Sequence, residues 1–245
     1  MSDSNATCIS IDSDKNLYIG GYFKGTAQFG TNSLNSMGGE DGFVARINHA
    51  GNWQWAKRCG GEKDDRITSI KIDSEKNIVV AGFFYDEASF GQFSVNSKGE
   101  KDLFVAKMNN SGSWKWASSA GGEDAVAVNA ISIGADDSIY TAGYFSGSIY
   151  VGEALYNSAG AWDILLTKID KNGNWVWGRK IGGTGNEYAS AITTDGADNI
   201  VVTGSFQGVL RIGDKRLESS GSVDFFVAKL TTYVSADEFL LPSMT

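Results

Sequence analysis

The residues of this 245-residue chain that could do chemistry fall into a few small sets. One histidine is present, His49, in the turn NHAGN. A catalytic histidine needs a partner that orients it and a nucleophile within reach. Its counterparts further along the chain are Asn110, Lys171 and Thr232, so the position accepts any polar residue and reads as a solvent-exposed turn. A second set is DSDKN (12–16), where Asp12, Asp14 and Asn16 alternate like the opening of a calcium loop. The matching segments are DSEKN (73–77), GADDS (134–138) and DGADN (195–199). Gly134 stands where the first carboxylate belongs, and no copy supplies a distal glutamate. A hard cation needs about six oxygens, so the expectation is an Asx-type hairpin turn, with Asp12 and Asp73 the only places left for a metal.

A third set is the column Asp41, Asp102, Asp163 and Asp224, each at the head of a strand with a basic residue five positions on (Arg46, Lys107, Lys168, Lys229). A hydrogen bond to a turn or an ion pair between sheets is the expected role; carboxylates lining a central channel are the alternative. Glycoside hydrolysis would need one carboxylate pair set apart from its symmetry mates, and none stands out. Aromatic residues form the last set: GGYF, AGFF, AGYF and TGSF place Tyr22, Phe23, Phe83, Phe84, Tyr144, Phe145 and Phe206 at the end of a strand. Where these rings reach a loop face they are candidate ligand-binding residues; otherwise they pack in a core. Cys8 and Cys59 sit at positions filled elsewhere by small or apolar residues, so packing is expected for both. The expectation is no catalytic residue, no cofactor and no enzyme.

These residues are positioned by an internal repeat. Gly21, Gly82, Gly143 and Gly204 are 61 residues apart, as are Gly30, Gly91, Gly152 and Gly213 and the aspartate column. The units run 1–61, 62–122, 123–183 and 184–244. Within each, RITSIKID-like alternation, an apolar run such as NIVVAGFF, a short segment with a central glycine, DLFVAKM and SWKWASS read as strands separated by turn residues. The chain is all-β, with no sustained helical stripe. Trp53 and Trp55, Trp114 and Trp116, and Trp175 and Trp177 follow a turn and lie two residues apart. That spacing predicts that each pair shares one face and seals one sheet to the next. In the fourth unit the pair maps onto Ala236 and Glu238, with Phe239 and Leu241 available as substitutes.

A four-stranded unit buries its faces only by stacking, in a closed propeller or an open solenoid. The long meander favours a β-propeller: one domain over 1–245, one blade per repeat, closed as a four-bladed ring, with an eight-bladed ring shared by two chains or an open arc as alternatives. The run ISIDSDKNLYIGGYF through EDGFVARINHAGNWQWAKRCGG resembles the bacterial β-propeller repeat known as SBBP. The resemblance implies one blade per unit and membership of large surface or secreted bacterial proteins, and carries no active-site residues. It implies seven blades where four are present.

A formal charge of −8 argues against nucleic acid as a partner. No Sec-type signal or membrane span is visible, so the expected location is the cytoplasm or an assembly released without such a signal. The function expected from all this is a non-enzymatic scaffold that binds another protein, as part of a larger surface or tail-like assembly. A multivalent glycan-binding lectin is the alternative.

Overall fold

Each repeat folds into the same six strands because each repeats the same period-two runs between the same turns. The computed structural model describes residues 3–195 and 197–231, with the backbone of 238–240. Repeat 1 forms β1 (Asp3–Ile11), β2 (Leu17–Lys24), β3 (Thr26–Phe29), β4 (Asn32–Asn35), β5 (Asp41–Ile47) and β6 (Trp53–Cys59). Repeat 2 forms β7 (Arg66–Ile72), β8 (Ile78–Phe84), β9 (Glu87–Phe90), β10 (Phe93–Asn96), β11 (Asp102–Met108) and β12 (Trp114–Gly122). Repeat 3 forms β13 (Val126–Ile133), β14 (Ile139–Phe145), β15 (Ser148–Val151), β16 (Ala154–Asn157), β17 (Asp163–Ile169) and β18 (Trp175–Ile181). Repeat 4 forms β19 (Glu187–Thr194), β20 (Ile200–Phe206), β21 (Val209–Ile212), β22 (Lys215–Glu218), β23 (Asp224–Leu230) and β24 (Glu238–Leu240).

Four of the six strands make an antiparallel meander, β1-β2-β5-β6 in the first repeat and its equivalents in the others; the remaining two form a hairpin between the second and third meander strands. Such four-stranded meanders are the build of a propeller blade. The chain divides into two compact units, Met1–Gly122 and Glu123–Thr245, of two repeats each.

In the first unit, β7 packs across β1, β2 and β5. One cluster joins Tyr18, Val44 and Cys59 of repeat 1 to Ile67, Ile70, Ile78, Val80 and Phe104 of repeat 2. The hairpin of repeat 2 is tied back by Gly60 and Ser89, which exchange both backbone hydrogen bonds at 3.1 Å. All seven residues of β11 are buried. In the second unit, β19 packs across β13, β14 and β17, and one cluster joins Tyr140, Ile164, Leu166 and Ile181 to Ala189, Ile192, Ile200 and Val202. Arg211 of its hairpin forms an isolated antiparallel bridge with Gly182.

Two glycine columns have a steric origin. A β-bulge interrupts the first strand of every repeat, for instance between Ile67 and Ser69. The bulge presses a backbone carbonyl onto the second strand, so a Cβ on Gly21, Gly82, Gly143 or Gly204 would lie 1.9–2.0 Å from the oxygen of Asn5, Arg66, Ala127 or Tyr188. Gly30, Gly91, Gly152 and Gly213 turn each hairpin at φ of 56–64°.

The tryptophan pairs depart from the same-face expectation. Trp55 pairs with Arg46 and Trp53 with Ile47, because a bulge intervenes. Neighbouring residues of β5 face opposite ways, so the two indoles do as well. Trp53 seats on its own repeat's hairpin, 5.4 Å from Phe29 in an edge-to-face contact. Trp55 packs toward the next repeat, where its Nε1 donates to the Asn110 carbonyl at 3.2 Å. Trp114 repeats the first arrangement on Phe90 at 5.1 Å, and Trp177 packs on Tyr140 at 6.1 Å. Only one indole of the first pair therefore joins sheet to sheet. The fourth-repeat positions Ala236 and Leu241 lie outside the described residues, and at Phe239 only the backbone, paired with Lys229, is described.

No helix is long and apolar enough to cross a membrane among the described residues.

Candidate functional site: the rim of the repeats

The Asp-rich turns spend their oxygens on themselves. Asp73 Oδ1 accepts from the Asn77 backbone N–H at 2.7 Å, and Oδ2 from Asn77 Nδ2 at 2.9 Å and Lys107 Nζ at 2.8 Å. Burial pushes the Asp73 carboxyl up, but Lys107 and Asn77 outweigh it and hold it below the ordinary value. Asp12 accepts from Asn16 twice and from the Tyr18 hydroxyl. Asp195 accepts from Asn199 and Lys229, and its carboxyl is lowered by the lysine first and the asparagine second. In the third turn, Asp136 takes over from Gly134, accepting from Ser138 and Lys168. Lys15, Lys76, Asp137 and Asp198 hold φ near 60°, closing each turn. Among the described residues no group of three or more histidine, cysteine or acidic side chains is placed to hold a metal.

The aspartate column caps the turn before the third meander strand. Asp41 Oδ2 accepts from the Met37 N–H at 3.0 Å, Asp102 from Lys98 at 2.9 Å, Asp163 from Ala159 at 2.9 Å and Asp224 from Ser220 at 2.7 Å. The basic residue five positions on does not reach it. Lys107, Lys168 and Lys229 go to the Asp-rich turns instead. Asp41 pairs with Arg58 of its own repeat at 2.5 Å, and Asp163 with Lys180 at 3.6 Å. His49 is exposed in its turn. Cys8 and Cys59 are free thiols; burial pushes Cys8 up to about 11 and holds Cys59 well above the ordinary thiol value. Two open grooves flank Trp114 and Trp175, the first about 410 Å³ and lined by Lys57, Arg58 and Gln92, and neither brings a nucleophile to a base.

The aromatic column splits by alternation. Phe23, Phe84, Phe145 and Phe206 point inward and are fully or almost fully buried. They are core residues, which removes them from the ligand-facing set. Tyr22, Phe83 and Tyr144 point the other way and are half-exposed at the sheet ends. Around them the structure gathers residues that the sequence reading passed over. In the first unit the Arg66 guanidinium lies 4.3 Å from the Tyr22 ring centre and 5.9 Å from that of Phe83, and its Nε is bonded to Glu40. Lys101 Nζ lies 4.9 Å over Phe83, which meets Tyr85 edge-on at 6.2 Å. Burial pushes the Lys101 ammonium below its ordinary value. In the second unit Tyr144, Trp162 and Tyr188 form a three-ring cluster with centres 5.0–6.4 Å apart.

These partners occupy two equivalent columns. Glu40, Lys101, Trp162 and Val223 precede the aspartate column; Asn5, Arg66, Ala127 and Tyr188 lie on the bulged strand. One signal was available: Trp162 is a tryptophan outside the paired pattern, directly before the constant Asp163.

No family model matches the chain, so the SBBP resemblance rests on the residues quoted for it. The chain is similar to an uncharacterized WD repeat-containing protein of Acanthamoeba polyphaga mimivirus, 25% identical over 185 residues, which is 63% of this chain. It spans only 13% of that relative's length. Among solved structures it is similar to the Neurospora crassa Pan2 WD40 domain, at 14% identity and a TM-score of 0.48, covering 98% of this chain and 61% of that one. The chain is an all-β protein of repeated propeller-type meanders with a WD-repeat relative.

Proposed function

We propose that this protein is a non-enzymatic β-propeller scaffold whose four repeats are blades of one domain and whose rim binds a protein partner. One observation carries the reading. On a frame held constant by the glycine and aspartate columns, the half-exposed rim positions differ from repeat to repeat: Tyr22–Arg66–Glu40, Phe83–Lys101, Tyr144–Trp162–Tyr188. A constant frame with varied exposed residues supports recognition, because the frame accounts for folding and leaves the rim composition to binding. Tyrosine, tryptophan and arginine are the residues that dominate protein interfaces. The WD-repeat relative supports the same class.

A lectin with several equal sites would repeat one set of contacts, and the three rim sets are chemically unlike. That favours a protein surface over repeated sugar sites. Attachment to a larger assembly through residues 234–245 falls largely outside the described residues, so the rim is the surface to test. Affinity capture should return a protein that binds the wild type and is lost from both Arg66→Ala and Trp162→Ala variants that retain their circular dichroism. Retention of every captured protein by both variants would overturn the rim assignment. A glycan array with hits abolished by Tyr22→Ala and Tyr144→Ala would replace it with the lectin reading.

A further inference from the structure

The same three rim positions are filled in opposite ways in the two units. In the first unit they hold Tyr22, Glu40 and Arg66; two repeats on, in the second unit, they hold Tyr144, Trp162 and Tyr188. The frame beneath them is kept. Tyr22 faces Asn5 and Gly42 across the ladder, and Tyr144 faces the equivalent Ala127 and Ile164. In the first unit the tyrosine ring receives a cation from within its own unit: the Arg66 guanidinium lies 4.3 Å from the ring centre, and Glu40 holds it through Nε. In the second unit Trp162 replaces the acid and Tyr188 replaces the cation.

The replacement brings three ring faces together. Trp162 and Tyr188 lie 32° from parallel with centres 6.4 Å apart, and Tyr144 stands nearly perpendicular to both, at 80° and 76°. All three are half-exposed. The charge around them has one sign. The segments that meet at this end of the sheets, 123–127, 144–148, 158–163 and 183–188, contain Glu123, Asp124, Asp163 and Glu187 and no lysine or arginine. The equivalent segments of the first unit carry Lys24, Lys63 and Arg66. Asp163 and Glu187 are the chain neighbours of Trp162 and Tyr188 and are fully buried. Lys180 answers Asp163 at 3.6 Å, while Glu187 Oε1 has no donor.

We infer that Tyr144, Trp162 and Tyr188 receive an arginine side chain from the partner protein, in the place that Arg66 fills for Tyr22 in the first unit. The inference rests on the reading of the rim as a protein-binding surface and gives that partner a chemistry, a basic segment. A guanidinium is planar, weakly hydrated and stacks on ring faces, so arginine suits three rings better than the compact lysine ammonium. The formal charge of −8 draws a basic segment toward the chain.

The probe is the blocked tripeptide acetyl-Gly-Arg-Gly-amide, set against the same peptide with citrulline, which keeps the shape and loses the charge. The reporter is the Trp162 indole N–H in a proton–nitrogen correlation spectrum, identified by its absence from Trp162→Phe. The arginine peptide should shift this signal saturably and bind about threefold or more tightly than the citrulline peptide. Tyr188→Arg, with unchanged circular dichroism, should abolish the shift, because the chain then fills the site with its own cation. Tyr144→Leu, which removes one ring, should weaken binding by about threefold and serves as a second check on the site. A Trp162 signal unmoved up to the solubility limit of the peptide would overturn the proposal. So would equal binding of the two peptides, or undiminished binding to Tyr188→Arg. The two readings fail separately. A captured protein lost from Trp162→Ala, with the arginine peptide unbound, overturns the arginine assignment and keeps the rim. An arginine peptide bound as expected, with no captured protein lost from Trp162→Ala, supports the arginine site and overturns the rim reading.

Discussion

At the scale of single residues, the repeat reuses one ion-pair position under different burial, and the energetic consequence differs accordingly. Lys107 and Asp73 are both buried and 2.8 Å apart, whereas the Lys229 and Asp195 side chains are 42% and 35% exposed at the same distance. Removing one member of a buried pair leaves the other charge without water or partner, which costs about 3 kcal/mol or more; an exposed pair is screened. Lys107→Met should therefore lower the urea midpoint clearly, by about 3 kcal/mol in unfolding free energy. Lys229→Met should leave the midpoint close to wild type. Equal effects would show that burial is not what distinguishes the two turns.

Between elements, the junction of repeats 3 and 4 contains a second set of buried carboxylates. Glu187 opens β19 fully buried, with Oε2 accepting from the Gly183 N–H at 2.9 Å and Oε1 without a donor. Burial first, then the neighbouring Asp163 carboxylate, push Glu187 up to about 7. Asp65 at the junction of repeats 1 and 2 is pushed up to about 7 in the same way, mainly by burial. A carboxyl that holds its proton more tightly when folded than when unfolded stabilises the fold fully below the unfolded value, and that stability is lost as pH rises through the folded value. Thermal stability should fall between about pH 4 and pH 7 and level off above. Glu187→Gln keeps the acceptor for Gly183 and replaces the labile proton with a permanent amide donor. It should flatten part of that slope and raise stability at pH 8 by up to about 3 kcal/mol, read from melting curves across the range. A slope unchanged in Glu187→Gln would remove this residue from the account.

Across the whole molecule, burial is graded along the chain. β11 is buried at every position, while β1 is exposed along most of its length and β23 exposes Phe225. Amides that open only with the surrounding core exchange slowest. Hydrogen exchange followed by mass spectrometry should therefore find β11 the most protected strand and β1 among the least. A β11 that exchanges as fast as β1 would contradict this gradient.

The 61-residue step, the strand order within a blade and the turn chemistry were legible in the sequence, because each is a local pattern of alternation and turn residues repeated without a slip. The glycine column at Gly82 was visible as a repeat, but its cause was not, since the carbonyl that excludes a side chain belongs to Arg66 on a neighbouring bulged strand. The tryptophan pairs show the same limit. Spacing of two implies one face only while the ladder is regular, and the bulge opposite Arg46 and Ile47 turns the indoles apart. Alternation alone did not say which ring of each Tyr-Phe or Phe-Phe pair faced the core, and the rim partners Arg66, Glu40, Trp162 and Tyr188 come from other strands. Sequence determined what is local and periodic; the tertiary structure decided which distant residues meet, because pairing register and sheet stacking, not spacing, bring them together.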